Sequence, residues 1–171
     1  MKLKKAVFPA LFLLVVAIFL VSAASSLVGK EAIVQPIQFN HRIHVEGLEM
    51  ACTECHKYVM ETEFAGRPKL GICADCHDMS LTDSPEEVIL LKFVKSGEEI
   101  PWQRLYQIPP HVYYSHRRHT TVARIECGEC HGEIGLSTSP PDRPLKQMTM
   151  AFCLDCHEKR SVTTDCNQCH R

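Results

Sequence analysis

All ten cysteines of this 171-residue chain belong to five copies of one pentapeptide, Cys-x-x-Cys-His. Numbered in chain order, the first to fifth motifs occupy residues 52–56, 73–77, 127–131, 153–157 and 166–170. Two thiols at this spacing can add to the two vinyl groups of one porphyrin, and the histidine that follows is positioned to bind its iron from one side. The pattern therefore predicts five covalently attached haem c groups.

The motifs define two sets of candidate site residues. The cysteines predicted to form thioether bonds are Cys52, Cys55, Cys73, Cys76, Cys127, Cys130, Cys153, Cys156, Cys166 and Cys169. The histidines predicted to bind iron on the proximal side are His56, His77, His131, His157 and His170.

Two other uses of paired cysteines fit the sequence less well. A disulfide framework would explain an even number of cysteines in an exported chain, but not a histidine after every second cysteine. A zinc site combines two Cys-x-x-Cys pairs into one set of four ligands, and five motifs cannot be paired evenly. Neither alternative needs the histidine that completes each motif.

A pair of histidines precedes the first and the third motif. FNHRIHVEGLEMACTECH runs over residues 39–56, and YSHRRHTTVARIECGECH repeats it at 114–131, with an offset of 75 residues. A looser echo relates GICADCH at 71–77 to AFCLDCH at 151–157. Residues three apart on a helical turn share one face, so two imidazoles there can reach two irons.

These histidines could instead be solvated, but the same pair occurs twice at the same distance from a motif. We therefore predict that they bind iron on the distal side: His41, His44, His116 and His119. We expect the aromatic residue before each pair, Phe39 or Tyr114, to pack on a porphyrin edge.

The histidine count supports two histidine ligands for every iron. Of the ten histidines, five follow a motif's second cysteine and five remain, the fifth being His111. His111 belongs to no repeat, and Met148 and Met150 stand just before the fourth motif. The fifth distal ligand is therefore open between His111 and a Met150 thioether, which would give a haem of higher reduction potential.

The N-terminal segment predicts export. Three lysines precede an uncharged run over residues 6–29, and residues 6–28 are long enough for a helix that spans a membrane. Cleavage of a signal peptide near Ala23 or Ala24 is the alternative. In either case the basic start stays in the cytoplasm, so the rest of the chain is expected on the periplasmic side of the cytoplasmic membrane.

The remaining chain divides into two predicted haem modules after the signal segment at 1–29. Residues 30–100 contain two motifs and a connecting helix, expected to be the one long helix of the exported part. Its start is indicated by Asp83-Ser84-Pro85-Glu86-Glu87, with a capping side chain, a proline and two acids in the first turn, and Gly97 offers a stop. Residues 101–171 contain three motifs. We predict a mainly α fold with much irregular loop, built around a haem core, with one N-terminal apolar helix.

The charge balance excludes a nucleic-acid partner. The chain has a formal net charge of −1, and without the three N-terminal lysines the exported part has 16 basic and 20 acidic groups. Nucleic-acid binding would call for a basic face.

These features together resemble the class III cytochromes c, the multihaem c3/c7 group. The closer likeness is to the pentahaem cytochrome c subunit of alternative complex III and of related membrane complexes that oxidise quinol. The segments that carry it are FNHRIH, FAG at 64–66, IPWQRL at 100–105, HVYYSHRRH at 111–119 and MTMAFCLDCH at 148–157. They cover most of residues 37–170, in the family's order.

The resemblance implies a periplasmic protein fixed to a membrane assembly. Its partners would be a membrane quinol-site subunit, an iron–sulfur or molybdopterin-type subunit and a redox partner cytochrome. The family often has phenylalanine in place of His111, and its methionine matches Met150, which keeps both candidates for the fifth distal ligand.

The expected function is electron relay within or from a membrane-bound (mena)quinol-oxidising respiratory complex, with no catalytic residues and no activity of the chain alone. One alternative is a stand-alone anchored quinol dehydrogenase that binds quinol beside the first haem. Another is a multihaem reductase of a small nitrogen or sulfur oxyanion. The reductase would need proton donors, and the candidates are His111, Tyr113, Arg117 and Arg118.

Overall fold

The computed structural model describes residues 32–170, where every regular element is helical. Within these residues, helices α1 to α6 span Cys52–Cys55, Leu70–Ala74, Pro85–Ser96, Cys127–His131, Met150–Lys159 and Cys166–Cys169. Two π-helices, π1 and π2, span Ile43–Gly47 and Arg118–Val122, and a 3₁₀ helix spans Ile134–Leu136. Turns and irregular loops make up the rest, which confirms the predicted helical, loop-rich class for this part of the chain.

The predicted N-terminal apolar helix lies outside the described residues. Between residues 32 and 170, no helix combines the length and the apolar character needed to cross a membrane.

Helix α3 begins and ends at the residues that its sequence indicates. The Ser84 hydroxyl accepts a hydrogen bond from the Glu86 N–H (3.3 Å), and Pro85 occupies the first turn, where its missing N–H costs nothing. Gly97 ends the helix with φ of 72°, a left-handed conformation that glycine adopts without strain. The predicted connecting helix is confirmed.

A second long helix, α5, was not predicted, because the connecting helix was expected to be the one long helix of this region. It runs for 10 residues through the fourth motif, and the Thr149 hydroxyl caps it by accepting from the Phe152 N–H at 3.2 Å. The fourth motif is therefore held in a longer helix than the other motifs.

The apolar core of the described region is small. Ile37, Leu70, Leu90 and Ile100 form one buried cluster. Trp102 packs against this cluster, as does Cys73 of the second motif. The apolar face of α3 thus covers the chain around the second motif, and Trp102 is half-buried beside it.

The two predicted modules pack on each other. From residue 33 onward the chain forms one compact unit. The His116 and Arg117 N–H groups donate to the carbonyls of Glu63 and Thr62, both at 3.0 Å. The second histidine pair is therefore attached to the loop that follows the first motif.

Candidate functional site

Each Cys-x-x-Cys-His motif lies on or directly beside a helix. In the first, second and fifth motifs, the histidine N–H donates to the carbonyl of the first cysteine at 2.9, 2.9 and 2.8 Å. The third motif forms α4, and the fourth lies within α5. All ten cysteines are free thiols. One helical turn therefore holds two thiols and an imidazole together in every motif, as attachment of one porphyrin requires.

The two predicted histidine pairs lie on helical turns, as their spacing indicates. His41 stands just before π1 and His44 within it, and His116 and His119 occupy the same two places at π2. π-Helical turns are rare in proteins, and those that occur are frequently found at functional sites.

The 75-residue repeat extends to the hydrogen bonds of the side chains. The His44 Nδ1–H donates to the Asn40 carbonyl at 2.9 Å, and the His119 Nδ1–H donates to the Ser115 carbonyl at 2.8 Å. The two turns are thus one local structure used twice.

The aromatic residue before each pair packs on both imidazoles. The Phe39 ring lies edge-on to His41 with centres 4.8 Å apart, and stacks on His44 at 4.5 Å. Tyr114 makes the same two contacts in the second pair, at 5.0 and 4.7 Å. These aromatics were expected to pack on a porphyrin edge, and the structure adds that they orient the imidazoles directly.

Four of the five histidines predicted as distal ligands each face a motif histidine. The distances between ring centres are 6.3 Å for His44 and His77, 6.4 Å for His116 and His131, 6.2 Å for His119 and His157, and 5.7 Å for His111 and His170.

These separations fit imidazoles that bind one metal from opposite sides. Two metal–nitrogen bonds of about 2.0–2.1 Å each, plus about 1 Å from each nitrogen to its ring centre, place the centres about 6 Å apart. Directly stacked rings would lie closer, as the 4.5 Å separation of Phe39 and His44 shows. The residues present therefore fit a haem iron held between two histidines.

His41 is the remaining predicted distal ligand, and it lies near the first motif. Burial, with the neighbouring His56 and His44 rings, lowers the pKa of His41 to about 4. The His41 Nδ1 is 3.3 Å from the Ser137 hydroxyl. His41 is therefore neutral at pH 7, the form in which imidazole binds a metal.

Hydrogen bonds determine which ring nitrogen of several histidines is free. A backbone carbonyl can only accept, so a ring Nδ1 bonded to one carries the proton and leaves the Nε2 lone pair available. Besides His44 and His119, the Nδ1–H groups of His116 and His157 donate to the carbonyls of Glu63 (3.0 Å) and Thr163 (2.9 Å). These tautomers suit iron binding through Nε2.

The third motif shows a complete donor set in one pocket. Cys127, Cys130 and His131 line it together with His116, beside the apolar side chains of Val59 and Ile125. Burial lowers the pKa of His131, and the neighbouring His116 and His56 rings lower it further. Two thiols and two neutral imidazoles within apolar walls match the chemistry of a covalently bound haem.

The thiols of different motifs are neighbours in a consistent order. Burial and the nearby Cys55 raise the pKa of Cys73, so the second motif adjoins the first. Burial and the nearby Cys52 raise the pKa of Cys127, so the first adjoins the third.

The same pattern continues through the later motifs. Burial and the nearby Cys156 raise the pKa of Cys130, so the third motif adjoins the fourth. Burial and the nearby Cys169 raise the pKa of Cys153, so the fourth adjoins the fifth. Neighbouring thiols thus connect the five motifs in the order second, first, third, fourth, fifth.

Sequence reasoning missed Glu87, which it treated only as an acid in the first turn of α3. Its carboxylate accepts a hydrogen bond from His77 Nδ1 at 2.8 Å. Hydrogen bonds from the Thr82 hydroxyl and the Leu81 N–H lower the pKa of Glu87 to about 2. No local pattern relates Glu87 to the second motif, so only the folded chain reveals this contact.

Comparison with known proteins shows the family of the chain. Residues 20–100 match the class III cytochrome c family, and residues 112–171 match the family of cytochrome c7 and related cytochromes c. The chain is 31% identical over 156 residues to the multiheme cytochrome c subunit of menaquinone reductase from Nitratidesulfovibrio vulgaris (strain Hildenborough), covering 79% of this chain and 74% of that protein. The chain therefore belongs to the class III and c7-type multihaem cytochromes c, whose haem c is covalently bound.

Proposed function

We propose that the chain is a pentahaem cytochrome c that relays electrons on the periplasmic side of the cytoplasmic membrane, as a subunit of a respiratory complex that reacts with menaquinone or menaquinol. The observation that carries the proposal is the set of four imidazole pairs with ring centres 5.7–6.4 Å apart. Each pair joins one motif histidine to one histidine outside the motifs.

The proposed ligand assignment gives each motif one distal histidine. In motif order, the proximal and distal ligands are His56 with His41, His77 with His44, His131 with His116, His157 with His119, and His170 with His111. The fifth assignment favours His111 because its ring lies over that of His170, while Met150 is 61% exposed.

Ligation of every iron on both sides supports electron transfer rather than bond chemistry. When bound, each haem supplies one-electron chemistry between ferric and ferrous iron. Two imidazoles per iron leave no position for a substrate. The reductase alternative requires an iron without a distal ligand, and the contact of His111 with His170 favours a ligand role for His111.

The order of the motifs supports a relay with two ends. In the proposed row of motifs, each motif is joined to the next by neighbouring thiols, and the second and fifth motifs are the terminal ones. The order of the motifs would then be the order of the haems along which electrons pass. Such an order suits exchange of electrons with two partners, one at each terminal motif.

Membership of a membrane complex is supported by the relative's name and by the resemblance to alternative complex III. The relative is named as a menaquinone reductase subunit, whereas the resemblance implies quinol oxidation, and a row of redox groups can carry electrons either way. We propose a membrane quinone-site subunit and an iron–sulfur or molybdopterin-type subunit as partners. Residues 6–28 would anchor the chain, or cleavage near Ala23 or Ala24 would release it into the periplasm.

The haem content tests the proposal directly. A pyridine haemochrome titration of mature protein should return five haems per chain, and its EPR and visible spectra should show low-spin haem alone. Fewer than five haems, or a substantial high-spin signal in the native protein, would contradict the assignment of ten histidine ligands.

Dependence on a complex is tested in membranes. Membranes that contain the chain without its partners should fail to reduce its haems with a menaquinol analogue, because the single apolar helix predicted at the N-terminus would provide no quinone pocket. Membranes with the whole complex should react, and a matched sample treated with a quinone-site inhibitor is the control. Equally rapid reduction in both preparations would favour the stand-alone quinol dehydrogenase.

A further inference from the structure

Glu87 is the one buried charged side chain in the part of the chain that the structure describes, with 6% of its surface exposed. It lies in the first turn of α3. One carboxylate oxygen accepts from the His77 Nδ1–H at 2.8 Å and from the Leu81 N–H at 3.0 Å. The other accepts from the N–H and the hydroxyl of Thr82 at 2.7 and 2.6 Å. Four donors therefore hold the charge of Glu87 against a motif histidine.

The contact distinguishes the second motif from the others. Six histidines in residues 32–170 have a hydrogen bond at Nδ1, and the acceptors of five are backbone carbonyls or, for His41, the Ser137 hydroxyl. Only His77 is bonded to a carboxylate within this part of the chain. The pattern favours a function specific to one site rather than a general way of orienting imidazoles.

We propose that Glu87 lowers the reduction potential of the haem bound by His77 and His44, making it the lowest of the five. The inference rests on the ligand assignment proposed above. A charge-assisted hydrogen bond draws the His77 proton toward the carboxylate and makes the imidazole a stronger electron donor to iron. A stronger donor stabilises ferric over ferrous iron.

The buried charge acts in the same direction. Reduction adds one electron to the iron, and a negative charge close by in a water-poor environment opposes that electron more strongly than an exposed one would. Both effects favour the oxidised state of this haem.

The position of the second motif gives this tuning a consequence. In the proposed row it is a terminal motif, and its proposed distal ligand His44 lies on the same helical turn as His41, which is near the first motif. The end of lowest potential gives up electrons most readily to the rest of the row. Glu87 would therefore set the second motif as the end that receives electrons from a strongly reducing partner.

The test is a spectroelectrochemical titration of the mature Glu87→Gln protein beside the native protein. Glutamine keeps the length of the side chain and removes the charge. We expect the lowest one-electron step to rise by about 59 mV, the equivalent of a tenfold change in the ferrous-to-ferric ratio, while the other four steps stay in place. The EPR signal of a single low-spin haem should shift as well, which a purely structural role would not produce.

Glu86→Gln is the matched control, because it removes the same charge one residue earlier. The Glu86 carboxylate accepts from the Gln38 N–H at 2.6 Å and is not bonded to a histidine. We expect its titration to follow that of the native protein. If Glu87→Gln matures poorly, Glu87→Asp replaces it, since the shorter side chain withdraws the charge from His77 and should give a smaller rise of the same step.

The outcomes separate this inference from the proposed function. Five low-spin haems with unchanged potentials in Glu87→Gln would overturn the role of Glu87 and leave the relay intact. An equal rise in Glu86→Gln would also overturn it, since the effect would then be one of general charge. Fewer than five haems in the native protein would instead remove the ligand assignment itself.

Discussion

Protein that carries no haem is expected to be unfolded at 25 °C, and the mature protein is expected to be folded. The buried hydrophobic side chains of residues 32–170 are Ile37, Val59, Leu70, Leu90 and Ile100. Burying one such side chain contributes about 1.5–3 kcal/mol. Ordering the backbone of a single residue costs about 1–2 kcal/mol, so each buried side chain offsets only one or two ordered residues. The polypeptide alone has too small a core, and the porphyrins must supply the rest.

The free energy of folding lost without haem is expected to equal the whole net stability of a domain, about 5–15 kcal/mol. The chain should be produced without haem attachment, purified with its thiols reduced, and compared with mature protein by far-UV circular dichroism and amide NMR dispersion. We expect little helix and collapsed dispersion without haem. A haem-free chain with native helix content and dispersed amides would show that the small core suffices.

The double variant Cys166→Ala and Cys169→Ala is the matched control for loss of thiols. It removes attachment at the fifth motif, a terminal motif of the proposed row. We expect it to stay folded with four haems, losing order only around α6 and the chain near His111. This outcome separates loss of the whole core from loss of one terminal group.

Features that depend on neighbouring residues could be predicted from the sequence. The motif fixes two thiols and an imidazole within five residues. The boundaries of α3 follow from Ser84, Pro85 and Gly97, each of which acts on the backbone next to it. The three-residue spacing within each histidine pair predicts a helical turn, and the 75-residue repeat predicts that the same turn occurs twice.

Contacts between distant segments could not be predicted in this way. The assignment of His44 to the second motif, and of His119 to the fourth, depends on how the intervening loops close. The entropic cost of closing a loop grows only slowly with the length of the loop. The separation of two histidines in the sequence therefore does not show which of them will meet. Glu87 was missed for the same reason: its contact with His77 depends on the path of the chain between the second motif and α3.

Replacing a distal histidine should change the spin state of one haem. In His116→Ala, the iron bound by His131 loses its sixth ligand, so one haem of the five should become high-spin and bind carbon monoxide when reduced. The hydrogen bond from His116 to the Glu63 carbonyl is also lost, which costs about 1 kcal/mol and leaves the protein folded. Room-temperature visible spectra, EPR and carbon monoxide titration give the fraction of haem changed. Arg117→Ala is the control, because this exposed side chain is adjacent and is not a predicted ligand.

The double variant His116→Ala and His119→Ala decides whether one turn serves two irons. Because the ring of His116 faces His131 and that of His119 faces His157, two haems of five should become high-spin, and added imidazole should restore both. If the two histidines shared an iron, the double variant would match a single one, with one haem changed. If neither bound iron, both spectra would match the Arg117→Ala control. The fraction of high-spin haem therefore gives the number of irons that one helical turn binds. Two irons would mean that the second histidine pair joins the haems of the third and fourth motifs.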